Sequence, residues 1–325
     1  MPSLVAAATS IEAPENLSQE AQDYLNKARV GAMDGGDSSD PETLARIRTM
    51  LGKMFLRSAM KIDPELFLTE QPMGSVTGYW INSKAPAKPG PVIIYLHGGG
   101  HILGSAKTNL GSAIRIARSG IIPVLSIDYR LAPEYPFPAD LDDSVAAYRW
   151  LLENGYDARQ IGVYGDSAGG GLSVAMPLAA MQQNLPAPGA VASLSPSVDH
   201  TGAGDTRITL RNTDPILRTI SNDRGVIYAG DTDAREPLLS PVYADFTGFP
   251  PLLIQAGTRE LLLSDAARLA RKARADGVAV TLDIWDGMWH GWHDTPELPE
   301  AEQACKELAQ FFEKHLSNPQ KAVKE

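Results

Sequence analysis

From residue 92 onward the chain alternates two hydrophobic patterns. Short runs of nearly continuous apolar character occur at Val92–Leu96, Pro123–Ile127, Ile161–Tyr164, Val191–Leu194, Leu252–Gln255 and Val280–Trp285. Strands buried on both faces read this way, so the runs predict a parallel sheet. Stretches with apolar residues at helical spacing lie between and after them: Asn109–Arg118, Asp140–Glu153, Ala168–Gln182, Ser264–Ala275 and Pro299–Leu316. Alternation of this length predicts an α/β fold, with a mostly parallel central sheet and helices on both faces.

The first part of the chain, 1–55, reads as helical and stands apart from the main domain, 56–325. Ser18 is placed to cap a helix that carries Ala21, Tyr24, Leu25 and Ala28 on one face. A loop rich in Gly, Asp and Ser follows at Gly31–Ser39. Asp40-Pro41 then reads as N-cap and first residue of a second helix, whose stripe is Leu44, Ile47, Leu51, Met54 and Phe55. Two such helices cannot bury both stripes against each other alone, so they are expected to lie on the main domain as a cap. The stretch at about 198–240 breaks the strand–helix rhythm; it is polar and turn-rich, and is expected to add to the cap.

Composition narrows the classes. With 325 residues, 43% hydrophobic and 21% charged, the chain has material for a sizeable core, which excludes disorder and a small disulfide scaffold. The net charge of −10 and the lack of any Lys/Arg run argue against a nucleic-acid partner and against an anionic membrane surface. An uncharged small molecule is the expected partner. A single cysteine, Cys305, permits no intrachain disulfide and no zinc ribbon or finger. It reads as an inert helix residue. Met1–Ala8 lacks a basic region, and no apolar run reaches the ~20 residues of a membrane helix. These features make a cytoplasmic location the expectation.

The sharpest local feature is Gly165-Asp166-Ser167-Ala168-Gly169, directly after an apolar strand and directly before an Ala/Leu/Met-rich helix. G-x-S-x-G in that context marks a serine held on a tight, strained turn. Against this stands a Gly-rich turn with an incidental serine. A phosphate loop would need Gly-Lys-Ser/Thr, which is absent. The second feature is His97-Gly98-Gly99-Gly100 at the end of a strand; successive glycines expose backbone N–H groups that could hold a developing oxyanion. A serine nucleophile needs a base, and the base needs a carboxylate; on such a turn the order is serine, acid, histidine. Of the six histidines, four follow Ser167: His200, His290, His293 and His315. His200 comes before the last two strands and His315 lies in the terminal helix pattern. His290 follows the last strand, at the sheet's carboxyl end where ligand chemistry sits, and His293 is its near rival. For the acid, Glu260 lies in the loop after Leu252–Gln255, whereas Asp265 falls in the first turn of the next helix, where a negative charge also has a plain structural use.

These residues resemble the microbial esterases of the hormone-sensitive lipase group, bacterial family IV. The matching segments are His97–Gly100, Asp128-Tyr129-Arg130-Leu131-Ala132-Pro133-Glu134, Phe137-Pro138-Ala139, Gly165–Gly170 and Gly287-Met288-Trp289-His290. They run in the family's order over about 75–316. The resemblance implies an α/β-hydrolase fold with a helical cap and a serine carboxylesterase acting on short-to-medium acyl esters. It implies Ser167 as nucleophile, His290 as base, and the amides of Gly99, Gly100 and Ala168 as the oxyanion hole. Glu260 stands where the family commonly has Asp, in Arg259-Glu260-Leu261-Leu262-Leu263-Ser264-Asp265. No cofactor or metal is implied, and related esterases often dimerise, which the edge of the last strand would allow. A lactone or amide hydrolase on the same triad is the alternative. A ligand receptor on the same fold is disfavoured, because family members of that kind lose the catalytic histidine. The Asp128–Pro138 stretch is expected to be scaffold, with Arg130 and Glu134 pairing internally. Trp289 and Trp292, with Trp285, either line the pocket mouth as substrate-binding residues or pack in the core.

Overall fold

The computed structural model describes residues 13–28, 38–217 and 223–316. The N-terminal residues 1–12 and most of the expected loop at 31–39 lie outside that set. An eight-stranded sheet has the order β1-β2-β4-β3-β5-β6-β7-β8. Its strands are β1 (Leu68–Met73), β2 (Val76–Ile81), β3 (Val92–Leu96), β4 (Val124–Asp128), β5 (Ile161–Asp166), β6 (Ala190–Leu194), β7 (Leu252–Gly257) and β8 (Val280–Trp285). Strands β3 to β8 run parallel; β3 to β7 are buried almost throughout, as their continuous apolar character predicts, whereas β8, at the sheet edge, has no buried residue. β1 and β2 add an antiparallel hairpin that the apolar-run criterion missed. β1 reads Leu-Thr-Glu-Gln-Pro-Met because it is an edge strand and largely unburied.

Alternate residues of the central strands feed two core layers. Val92, Ile94 and Leu96 face α4 (Ala139–Glu153) and α5 (Ala168–Gln182), while Ile93 and Tyr95 face α3 (Gly111–Arg118) and α9 (Pro299–Leu316). Helix α8 (Leu263–Ala275) packs with Val174 and Leu178 of α5 over β6 and β7. Helix α5 is buried on nearly every side, which explains its Ala, Gly, Leu and Met content.

The chain leaves β3 for β4 on one side and returns to β5 on the other, so strand order reverses between β3 and β5. Their ends are in register, Leu96 beside Gly165. The loop at His97 and the turn at Ser167 therefore open into one crevice, where open α/β sheets hold their ligands.

At the N-terminus, Ser18 caps α1 (Gln19–Lys27), accepting from Ala21 N at 3.1 Å, and Asp40 caps α2 (Pro41–Ile62), accepting from Thr43 N at 2.8 Å. The expected boundary at 55 falls inside α2. Leu44, Ile47 and Leu51 pack with Ile102, Tyr228 and Leu239, but Ala59 and Ile62 belong to the core under the sheet. Met54, expected on the buried stripe, is exposed. Within 198–240 the described helices are α6 (Thr206–Thr209) and α7 (Asp223–Ala229). Among the described residues no helix is long and apolar enough to cross a membrane.

Candidate active site

The turn from β5 into α5 carries Ser167 at φ 55°, ψ −118°, a backbone state rarely taken by residues with a side chain. Its amide donates to Leu194 O at 2.8 Å, and its carbonyl accepts from Ser197 N at 3.0 Å and Gly171 N at 3.1 Å. Glycine flanks it for want of room. A Cβ on Gly165 would sit 2.2 Å from Gly169 O, and one on Gly169 would sit 2.0 Å from Leu96 O. The motif thus reflects how closely α5 approaches β3.

The loop after β8 brings His290 to this turn, with Nε2 2.8 Å from Ser167 Oγ. Its Nδ1 lies 3.3 Å from Oε2 of Glu260, which stands after β7. Glu260 is fully buried and its Oε1 accepts from Gly257 N at 2.9 Å. Burial opposes charge on both groups. For His290, burial lowers the pKa, but the hydrogen bond and charge of Glu260, with Asp214 and Asp166 beyond, outweigh it and leave the imidazole more basic than usual.

The Gly loop after β3 abuts the elbow, where a Cβ on Gly98 would sit 2.2 Å from Asp166 Oδ2. Gly99 and Gly100 have φ of 130° and 65°. Among the described residues their amides, and that of Ala168 at the start of α5, donate to no protein acceptor. The loop's base is fixed by Asp166, whose Oδ1 accepts from Gly98 N at 3.0 Å and from Tyr95 Oη at 2.7 Å. Burial and the nearby Asp294 push Asp166 up to about 7. His97 stacks on Tyr129, its Nδ1 2.8 Å from Gly98 O, and burial lowers its pKa to about 4.

Residues 93–294 match the family model described as alpha/beta hydrolase fold. An acetyl-hydrolase of Streptomyces hygroscopicus is 38% identical over 243 residues, 74% of this chain and 80% of that protein. The chain belongs to the α/β-hydrolase family. The carboxylesterase NlhH of Mycobacterium tuberculosis is 34% identical over 260 residues, 73% of this chain and 79% of that one. A solved esterase from the bacterial hormone-sensitive lipase family superposes with a TM-score of 0.77 at 40% identity, covering 84% of this chain and 92% of its own. Within the α/β hydrolases this chain falls in the hormone-sensitive lipase group and is a carboxylic ester hydrolase.

Other candidates of this hydrolase lie elsewhere. His293 stacks on Trp292, both its ring nitrogens are buried without a partner among the described residues, and burial lowers its pKa to about 3. Asp265 is neither beside His290 nor a surface charge. It is buried, pairs with Arg207 at 3.0 Å, and accepts from the amides of Val198 and Asp199 at 3.2 Å. Burial pushes it up to about 6. It anchors the start of the 198–240 excursion to α8.

Trp289 and Trp292 resolve toward the core. Trp289 stacks on Tyr24 of α1 with centroids 4.2 Å apart and planes within 2°, and Trp292 packs against Trp285 at 5.0 Å. Both are buried with Ala21, Leu25, Ala301 and Ala304, so they bind α1 and α9 to the histidine loop rather than line an opening. Arg130 and Glu134 do not pair with each other. Arg130 holds Asp143 of α4 at 2.8 Å, and Glu134 holds Arg48 of α2 at 2.7 Å. Cys305 is buried in α9, where burial raises its thiol to about 12. Sequence reading missed Asp166 and Asp214 as neighbours of the site; the first stood inside the motif itself, while the second had no motif to mark it.

Proposed function

We propose that this carboxylic ester hydrolase is a serine carboxylesterase for short-to-medium acyl esters, working through Ser167, His290 and Glu260. The observation that carries the reading is the continuous contact from Ser167 Oγ to His290 Nε2, 2.8 Å, and from His290 Nδ1 to Glu260 Oε2, 3.3 Å. Ser167 Oγ attacks the ester carbonyl as its proton passes to Nε2. The oxyanion forms against the amides of Gly99, Gly100 and Ala168, each worth roughly 10²–10³ in rate. The C–O bond to the alcohol breaks as Nε2 returns the proton to the leaving oxygen. Water, deprotonated by the same nitrogen, then attacks the acyl-enzyme, and free acid and Ser167 are released. Glu260 holds the ring with Nδ1 protonated and stabilises the imidazolium. The name of the Streptomyces acetyl-hydrolase supports a small acyl group.

The same reading treats 1–55 and about 198–240 as cap segments over the site. The cluster that joins Leu44, Ile47 and Leu51 of α2 to Tyr228 and Ala229 of α7 supports it. Two copies would pair along the free edge of β8, where Ile284 is 39% exposed. A reducing, cytoplasmic setting accords with the lone buried Cys305.

The test is hydrolysis of p-nitrophenyl esters from acetate to palmitate by the wild type and by Ser167→Ala. Turnover greatest at short chains and roughly 10⁶-fold lower in the variant is expected. Wild-type-like turnover by Ser167→Ala would remove the reading; no ester turnover at all would move it to lactones or amides.

A further inference from the structure

We propose that His101, Asp140 and Tyr228 form a buried positioning network for the oxyanion loop, so that a residue of α7 helps set the acyl-transfer step. The proposal rests on the reading of Gly99 and Gly100 as oxyanion donors. His101 directly follows Gly100 and has φ 61°, a strained state for a residue with a Cβ. Such a state persists only where its surroundings over-determine it. Here they do. His101 O accepts from Ala132 N at 3.0 Å. Its Nδ1 lies 2.6 Å from Asp140 Oδ2, at the start of α4. Its ring stacks on Tyr228 with centroids 3.6 Å apart and planes within 3°. Tyr228 Oη closes the circuit, donating to Asp140 Oδ1 at 3.0 Å. All three side chains are buried.

The geometry has a consequence for Gly99 and Gly100. On one side Gly98 is fixed by Asp166. On the other side His101 is fixed by α4 and α7. Between these points Gly99 O accepts from Leu103 N at 3.0 Å, and the two donor amides have no side chains of their own to hold them. Misplacing a reacting or stabilising group by about 1 Å can cost roughly 10²-fold in rate. The Asp140 carboxyl stands at Nδ1 of His101 as Glu260 stands at Nδ1 of His290.

The test separates positioning from packing. An oxyanion contact exists only in the transition state, so its loss lowers kcat with KM unmoved. Asp140→Ala is expected to lower kcat roughly 10²-fold on p-nitrophenyl butyrate and to weaken a trifluoromethyl ketone inhibitor by a similar factor. Asp140→Asn, whose carbonyl can still accept from His101, should recover most of both. Tyr228→Phe keeps the ring and should give a smaller fall in kcat in the same direction. Wild-type kcat in Asp140→Ala, or a loss carried by KM alone, overturns the proposal. If Asp140→Ala does not fold, wild-type kcat in Tyr228→Phe overturns it instead. Ser167→Ala is measured beside them. Should it turn over normally, the acyl-enzyme reading itself fails; should it be inactive while the other variants are unaffected, only the positioning network fails.

Discussion

At the scale of single residues, the pH response follows from His290. As the general base proposed above, it must be neutral. Burial lowers its pKa, but Glu260 foremost, then Asp214 and Asp166, leave it above the ordinary 6.5. The sign is therefore fixed: kcat/KM is full at high pH and falls on acidification through a midpoint above 6.5. In Glu260→Gln the carboxylate's contribution is lost while burial remains, so the acid limb should move down as the rate drops by roughly 10⁴-fold. A pH–rate profile with a wild-type midpoint below 6.5, or one unmoved in the variant, would count against the pair. Asp265 offers the complementary test. Its removal strands Arg207 and two buried amides, which should cost about 3 kcal/mol of stability. Folded Asp265→Ala should keep near-wild-type kcat in steady-state assays. A catalytic collapse there, with Glu260→Ala active, would exchange the roles of the two acids.

At the scale of elements, the site depends on what packs behind it. The loop that carries His290 is clamped by Trp289 against Tyr24 and by Trp292 against Trp285. Trp289→Phe should lower the melting temperature while leaving the order of preference among acyl lengths unchanged. A changed acyl preference would instead return Trp289 to the pocket. The elbow is similarly constrained: Gly169→Ala would push a methyl to 2.0 Å from Leu96 O and separate α5 from β3, at a cost of about 3 kcal/mol. Strands β3 to β7 and their helices were legible because burial on both faces leaves an apolar run, β8 because Val280, Leu282, Ile284 and Trp285 keep its sequence strand-like without burial, and helix caps such as Ser18 and Asp40 have local signatures. The β1–β2 hairpin was not: β1 is an edge strand and owes little to burial, and β2, though mostly buried, has its apolar run interrupted by Thr77 and Gly78. The fates of Arg130 and Glu134 were hidden for another reason. Their partners, Asp143 and Arg48, are chosen by the fold and not by nearness in sequence.

At the scale of the molecule, local motifs marked the residues around the crevice, but the links between its walls were invisible in the sequence. The elbow, the Gly loop and the histidine loop each carry a local motif, and the reversal of strand order between β3 and β5 brings the first two together. No motif marks His101, Asp140 and Tyr228, which lie 39 and 88 positions apart. The net charge of −10 fits the uncharged ester proposed as substrate, and the open β8 edge is where the proposed pairing of two copies would fall. Sedimentation should find a dimer that Ile284→Lys weakens; a monomer in both would discard that edge as an interface. Covalent trapping tests whether Ser167 carries the acyl group. The protein is incubated with a fluorophosphonate, digested, and the adduct mapped by mass spectrometry. A single adduct on Ser167, absent in Ser167→Ala and much slower to form in His290→Ala, is the predicted result. Esterase activity lost to the reagent with the adduct on another residue, or retained with Ser167 fully labelled, would rule out Ser167 as the nucleophile.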